Sequence, residues 1–152
     1  MSKALTLARP YFVLLALFTI VRFVLSSRGV PYENPRAASI SLVVLTYVSA
    51  FLIAALARGL AGLTLKEAAT TGAVIGLVSQ VVIFLATMGS IAAGAHTFFN
   101  NAAAINDALV GQEITIGVAL PYRGAALVIG PITNAIAAAI GWAAGGMMGR
   151  RA

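Results

Sequence analysis

His96, Asp107 and Glu113 are the residues of this chain whose types could support acid–base chemistry or bind a metal ion. A neutral imidazole and carboxylates ligate zinc and similar cations, and the same groups transfer protons in enzymes. Their spacing is irregular and matches no known ligand motif, and the sequence has no GxGxxG, P-loop, GxSxG or HExxH pattern. We therefore treat the three as weak candidates and expect capping, solvation and pairing with Arg123 to occupy them.

Gln80, Asn134 and Arg22 are polar residues that interrupt long apolar stretches. Such residues are costly inside a bilayer and are therefore either paired or functional. We expect Gln80 and Asn134 to make interhelical hydrogen bonds, with a permeation path or a ligand contact as the alternative. Arg22 is the one charge expected inside the membrane, and its side chain should snorkel to the interface rather than bind an anion.

Glycines recur at every fourth position in two apolar stretches. Gly141, Gly145 and Gly149 form one row, and Gly72 and Gly76 form another. Residues four apart share one face of a helix, and a face without side chains lets a second backbone approach closely. The rows predict helix-packing surfaces, either within one bundle or as a seam between subunits.

The composition excludes an ordinary soluble domain. Of the 152 residues, 61% are hydrophobic and 9% are charged, whereas about a quarter of a globular protein is charged. The net charge of +6 comes from basic residues spread along the chain, which fits the flanks of membrane spans and not a nucleic-acid-binding surface. The chain contains no cysteine, so thiolate metal sites and disulfides are excluded, and the sequence identifies no cofactor.

Four apolar stretches are long enough to cross a hydrocarbon core about 30 Å thick. They cover about residues 10–25, 38–57, 68–93 and 128–148. Continuous apolar runs favour helices over a membrane barrel, whose strands alternate polar and apolar positions. The sequence therefore predicts an all-α integral membrane protein, a bundle of four transmembrane helices that forms a single domain over residues 1–152. Thr64 and Glu67 predict a capping box at the start of the third helix.

Two long connections, over about residues 26–37 and 94–124, should lie on the same side of the membrane. The second should contain a short helix near 101–109 and an extended or re-entrant stretch near 113–120. Two similar runs, GVPYENPRAA from Gly29 and GVALPYRGAA from Gly117, suggest a duplicated hairpin. Basic residues predominate on the opposite side, so we expect both termini in the cytoplasm and the protein in the cell (inner) membrane.

Aromatic residues near the ends of these stretches predict a belt at the membrane interface. The belt would consist of Tyr32, Phe98, Phe99, Tyr122 and Trp142. An alternative for Trp142 is that its ring faces a partner or a pigment.

Three classes of function remain open. The favoured one is an accessory or structural subunit of a membrane assembly, which explains the sparse ionisable chemistry and the glycine rows. The second is a homo-oligomeric channel or small-solute transporter that uses Gln80 and Asn134. The third and least favoured is a membrane enzyme that uses the outer His, Asp and Glu residues. The expected partners are the lipid bilayer and other membrane subunits or copies of the chain, and not nucleic acid.

Overall fold

The computed structural model describes residues 3–35 and 39–148, with the side chains of residues 5–35 and 39–147. Within these ranges all regular secondary structure is helical. The elements are α1 (Lys3–Leu7), α2 (Arg9–Ser27), α3 (Leu42–Ala61), α4 (Leu65–Ala92), α5 (Ala102–Ile105), a 3-10 turn (Asp107–Leu109) and α6 (Ile116–Met148). Gly149, Arg150, Arg151, Arg36 and the predicted span start at residue 38 lie outside the described residues.

Four helices in the described part of the chain are long and apolar enough to cross a membrane. They cover Leu5–Ser27, Leu42–Ala61, Leu65–Ala92 and Ile116–Met147. The predicted all-helical class with four candidate spans is confirmed, and the four apolar helices fit a small membrane protein.

The first span begins earlier than predicted. α1 and α2 follow one another directly, with Ala8 between them at φ −82° and ψ −6°. Pro10 lies in the first turn of α2, where a backbone N–H would have no partner within the helix. The proline therefore does not end the apolar segment, which extends back to Leu5.

α3 and α4 are joined by a tight turn over residues 62–64. Gly62 ends α3 at φ 63°, a left-handed conformation that favours glycine. Thr64 Oγ1 accepts a hydrogen bond from the Glu67 amide at 3.3 Å, and Glu67 Oε2 accepts one from the Thr64 amide at 2.8 Å. The predicted capping box is confirmed, and it fixes the start of α4.

α6 begins at Ile116, well before the predicted start near residue 128. The stretch near 113–120 was expected to be extended or re-entrant, but from Ile116 onward it forms the first turns of this helix. Pro121 and Pro131 both lie inside α6. Each proline removes one backbone hydrogen bond, a loss that membrane helices tolerate where neighbouring groups supply other partners. A proline is therefore a weaker boundary signal here than in a soluble helix.

The two similar runs differ in conformation where both are described, since residues 36–38 of the first run lie outside the described residues. The run from Gly117 is helical, whereas Gly29 follows the end of α2 with φ 74°. Over the described part of the first run, the likeness in sequence therefore does not extend to a common local structure.

The connection between α4 and α6 contains two short helical turns. α5 and the 3-10 turn lie in the segment predicted as a short helix near 101–109. Asn101 Oδ1 accepts from the Ala103 amide at 2.9 Å, and Asn106 Oδ1 accepts from the Ala108 amide at 2.9 Å. Asparagine side chains thus supply the acceptors that the first amides of these turns need.

α6 lies at the centre of the bundle, packed against α4 and α3, and α2 lies at the periphery. α4 and α6 are antiparallel, because Gly72 lies next to Ala138 whereas Gln80 lies next to Gly130. We call the end of the bundle that carries the 62–64 turn the turn end. The opposite end, which carries the two long connections, is called the loop end.

Candidate functional site

Arg22 and Arg123 come together at the loop end, where aromatic side chains surround them. Arg22 belongs to α2 and Arg123 to α6, and both line a cavity of about 50 Å³. Phe98, Phe99 and Tyr32, which come from the two long connections, form part of its wall. We call these five residues the arginine cluster.

Arg22 is turned into the bundle, with 7% of its surface exposed. The central carbon of its guanidinium group lies 5.2 Å from the centroid of the Phe98 ring and 5.6 Å from that of Phe99. The Tyr32 ring is 5.8 Å away, and Nη1 donates to the Ile40 carbonyl oxygen at 3.4 Å. The expectation that Arg22 snorkels to the interface is wrong, because aromatic faces and a carbonyl stabilise the cation within the bundle.

Arg123 connects α6 to the second long connection. Its Nη2 donates to the carbonyl oxygens of Phe99 at 3.1 Å and Ala104 at 3.2 Å. Its Nε is buried and has no hydrogen-bond partner among the described residues. Asp107 and Glu113 are exposed. The expected pairing of Arg123 with these carboxylates is therefore wrong, and backbone carbonyl oxygens take their place.

Sequence reasoning does not identify Arg123 as a site residue. The predicted fourth span starts near residue 128, which places Arg123 in the preceding loop. Since α6 begins at Ile116, Arg123 lies seven residues inside the helix, about 10 Å along its axis. Arg22 likewise lies five residues before the end of α2 at Ser27. Both cations are therefore carried by the apolar helices, close to the loop end.

The arginine cluster contains no acidic residue. The four acidic residues of the chain are Glu33, Glu67, Asp107 and Glu113. Glu67 caps α4 at the turn end, and the other three are exposed. Two positive charges in one cavity repel each other, and the repulsion grows where water is excluded. The cluster is therefore locally positive, and the planar guanidinium group has the geometry to bind carboxylate or phosphate oxygens.

The predicted aromatic belt is divided between the interior and the surface. Phe98 and Phe99 are each 3% exposed, so their rings face the bundle interior and not the lipid. The Phe99 ring also lies 4.8 Å from the Phe23 ring. Tyr122 is exposed, whereas Trp142 is half-buried near the turn end and donates to the Leu63 carbonyl oxygen at 2.6 Å.

His96 and Glu113 line one open groove of about 790 Å³ at the loop end, but Asp107 does not line it. Nowhere in the described ranges do three His, Cys, Asp or Glu residues come close enough to hold one metal ion. The three weak candidates are thus not assembled into a single site in this part of the chain.

Gln80 and Asn134 both lie where α4 contacts α6. Asn134 is buried, and its Nδ2 donates to the Gly130 carbonyl oxygen at 2.9 Å. Its Oδ1 is buried without a hydrogen-bond partner in residues 3–35 and 39–148. Gln80 packs on Gly130 and lines an open groove of about 450 Å³ together with Thr133 and Tyr122.

A buried hydrogen-bonded group that the sequence does not reveal links α2, α3 and α4. Tyr11 Oη lies 3.3 Å from Thr46 Oγ1 and donates to the Ile75 carbonyl oxygen at 3.3 Å. Thr46 Oγ1 donates to Ser79 Oγ at 2.9 Å. The signal available in the sequence is a hydroxyl residue in each of three apolar stretches, but their pairing depends on the register between helices.

The described glycines of the two rows lie at contacts within the chain. A Cβ atom on Gly141 or Gly145 would collide with the carbonyl oxygens of Phe51 and Ala55 on α3. A Cβ on Gly76 would lie 2.7 Å from the Gly130 carbonyl oxygen, and one on Gly72 would lie 2.6 Å from the Ala138 Cβ. Two rows of small residues therefore allow α6 to approach α3 and α4 at backbone distance.

A search found no matching protein-family model, no matching curated protein and no matching solved structure. What the protein does must therefore be inferred from its own contacts.

Proposed function

We propose that this protein is an accessory or structural subunit of a membrane assembly. The observation that carries the proposal is the direct backbone packing of α6 against α3 and α4. At Gly141 and Gly145 on one contact, and at Gly72 and Gly76 on the other, no space remains for even a methyl group. A gap too small for a methyl group is too small for a file of water molecules, so these contacts favour a scaffold over a single-copy channel.

The polar side chains of the bundle interior support the same proposal. Thr46 on α3 donates to Ser79 on α4, and Tyr11 donates to the Ile75 carbonyl oxygen of α4 and lies 3.3 Å from Thr46 Oγ1. Asn134 donates to the carbonyl oxygen of its own helix. The bonds between helices stabilise the helix arrangement without a permeating solute, whereas Asn134 Oδ1 is buried with no partner among the described residues.

The outward face of α6 offers a surface for a partner helix. Val128, Ile132, Ile136 and Ile140 are spaced four residues apart, and each is more than half exposed. Side chains at this spacing form a ridge, and such ridges fit the grooves of neighbouring helices. We propose that this ridge, called the α6 ridge, contacts another subunit.

A photo-crosslinking amino acid at Ile136 tests this proposal in native membranes. Leu17 on α2 is similarly exposed and serves as the matched control. We expect a single product of defined mass that joins Ile136 to a different chain, with little product from Leu17. Products that contain only copies of this chain, or none from either position, would contradict the subunit proposal.

A homo-oligomeric channel or small-solute transporter is the second candidate, favoured by the open groove beside Gln80. The polar residues Tyr47, Asn106, Tyr122 and Thr133 line this groove, which copies of the chain would enclose if they assembled around it. Purified protein in liposomes should then move a small solute, and Gln80→Leu should slow the flux while the exposed-loop variant Gln112→Leu should not. Absence of flux across a broad panel of ions and small solutes removes this candidate.

We also propose that the loop end lies outside the cell and that both termini are cytoplasmic, on the basis of the positive-inside rule. Because the chain has no cysteine, single-cysteine variants report the side directly. An impermeant maleimide should label Glu113→Cys in intact cells and should label Lys66→Cys only after permeabilisation. The reverse pattern would overturn the orientation.

A further inference from the structure

We propose that the cavity between Arg22 and Arg123 binds a phosphate-class oxyanion, supplied either by a phospholipid headgroup or by a soluble phosphate. This site is independent of the subunit role, because it depends on the loop end and not on the α6 ridge. Its chemistry is that of guanidinium N–H groups, which donate paired hydrogen bonds to phosphate oxygens.

The position of the two cations suits such a ligand. Arg22 lies five residues before the end of α2, and Arg123 lies seven residues after the start of α6. At about 1.5 Å per residue, these positions are roughly 7 and 10 Å inside the helix ends. If the helices span a bilayer, the arginines lie just below the headgroup layer, which is about 5–7 Å thick on each side.

The charge of the cavity favours an anion. Every acidic side chain of the chain is either exposed or engaged at the turn end, as in the capping box of Glu67. The contacts of Arg123 are to the neutral carbonyl oxygens of Phe99 and Ala104. Its buried Nε has no acceptor in the described part of the chain. An oxyanion in the cavity would accept from this Nε and reduce the repulsion between the two guanidinium groups.

The cavity has more space than one water molecule needs. Its volume is about 50 Å³, whereas about 10–15 Å³ suffices for one water molecule. The Phe98 and Phe99 rings lie beside Arg22, and contact with an aromatic ring does not remove an N–H donor from the guanidinium group. The cluster therefore combines positive charge, an Arg123 Nε that has no partner among the described residues, and space.

The bound anion would also stabilise the loop end. Arg22 donates to the Ile40 carbonyl oxygen before α3, and Arg123 donates to two carbonyl oxygens of the second connection. An anion that fixes both guanidinium groups would thereby fix both connections. A purely structural pair of arginines would hold the same carbonyl oxygens without responding to phosphate, so added phosphate separates the two cases.

The first test uses protein in a phosphate-free maltoside detergent, with inorganic phosphate titrated at constant ionic strength against chloride. The midpoint temperature of thermal unfolding of the wild type should rise as phosphate is added. Arg123→Gln should need at least about tenfold more phosphate for the same shift, since a hydrogen bond to a charged group contributes about that factor. Arg28→Gln is the matched control, because Arg28 is an exposed arginine at the same end, and its titration should equal that of the wild type.

The second test identifies the source of the phosphate. Native mass spectrometry compares retention of phosphatidylglycerol with that of a glycolipid that has the same acyl chains but no phosphate. A headgroup site predicts selective retention of phosphatidylglycerol by the wild type and Arg28→Gln, and its loss in Arg123→Gln. Arg123→Lys keeps the positive charge but lacks Nε and the paired donors, so it should bind phosphatidylglycerol more weakly than the wild type and more strongly than Arg123→Gln. The thermal unfolding of each variant shows whether it is folded. If wild-type protein responds to neither inorganic phosphate nor phosphatidylglycerol, or if a folded Arg123→Gln binds both as the wild type does, the site does not exist.

Discussion

The turn end and the loop end of the bundle both hold arginine against aromatic rings, but they differ in how completely they are filled. At the turn end, the central guanidinium carbon of Arg58 lies 3.7 Å from the centroid of the Trp142 ring. Arg58 Nη1 donates to the Trp142 carbonyl oxygen at 2.9 Å. The guanidinium group occupies the place where a side chain on Gly146 would project. Arg58, the Trp142 ring and Gly146 therefore pack together at this end of the α3–α6 contact and fill the space between the two helices.

The loop end gathers two cations and three rings but leaves a cavity between them. Its rings come from long connections and not from the helices that they cover. A short turn allows a side chain few positions, so the helices pack closely around it. Long connections can leave a space between the helices that a ligand enters. The comparison indicates that the turn end is closed by direct packing, and it makes the loop end the place where we propose that a ligand binds.

The largest effect should come from filling a glycine contact near the turn end. Gly145→Val should lower the free energy of unfolding by about 3 kcal/mol or more, because its Cβ would collide with the Ala55 carbonyl oxygen on α3. The matched control is Gly124→Ala on the same helix near the loop end, where a Cβ would meet no atom within 4 Å. This variant should be neutral or more stable by about 0.5–1 kcal/mol. Reversible unfolding in mixed micelles measures the free energy of unfolding of both variants. Equal losses of this free energy would contradict the difference between the two ends.

A smaller effect should follow from removing one half-buried hydrogen-bond donor. Trp142→Phe keeps a ring beside Arg58 but loses the indole N–H that donates to the Leu63 carbonyl oxygen. The expected loss of unfolding free energy is about 1–2 kcal/mol. Tyr47→Phe removes the bond to Thr133 Oγ1, which is exposed at the Gln80 groove, and should cost about 0.5 kcal/mol or less. The comparison fails if Tyr47→Phe costs as much as Trp142→Phe in the same micelle assay.

The smallest effects should appear at the helix caps of the two ends. Thr64→Ala removes a reciprocal capping box at the start of α4 and should cost about 1 kcal/mol. Ser41→Ala removes a single bond to the Val44 amide at the start of α3, which is long at 3.4 Å, and should cost about 0.5 kcal/mol. Amide hydrogen exchange in the first turn of each helix measures the local change. If both first turns lose the same protection from exchange, the second hydrogen bond of the capping box does not stabilise α4.

The sequence predicts the helical class because the apolar runs are long and nearly free of charge. It also predicts the start of α4, since the cap uses residues only three positions apart. It misplaces the start of α6, because prolines that would end a soluble helix are accommodated within a membrane helix. Local patterns thus determine most of the helices and fail where a rule from soluble proteins does not apply.

The candidate site was less predictable than the fold. Gly72, Gly76, Gly141 and Gly145 can be recognised by their spacing, but their partners on α3 and α6 depend on the register between helices. The arginine cluster joins residues 22, 32, 98, 99 and 123, and no local pattern relates positions so far apart. An arginine carried by an apolar helix is the one signal that the sequence offers, and it becomes visible for Arg123 only when the start of α6 is known.

The mass and composition of the particle extracted from native membranes in mild detergent test the subunit proposal most directly. Native mass spectrometry should show this chain together with other chains at a fixed stoichiometry, and that stoichiometry should persist through repeated purification. A particle that contains only this chain, whether as a monomer or as a homo-oligomer, would contradict the proposal. A homo-oligomer would in addition make the Gln80 groove the first place to examine for transport.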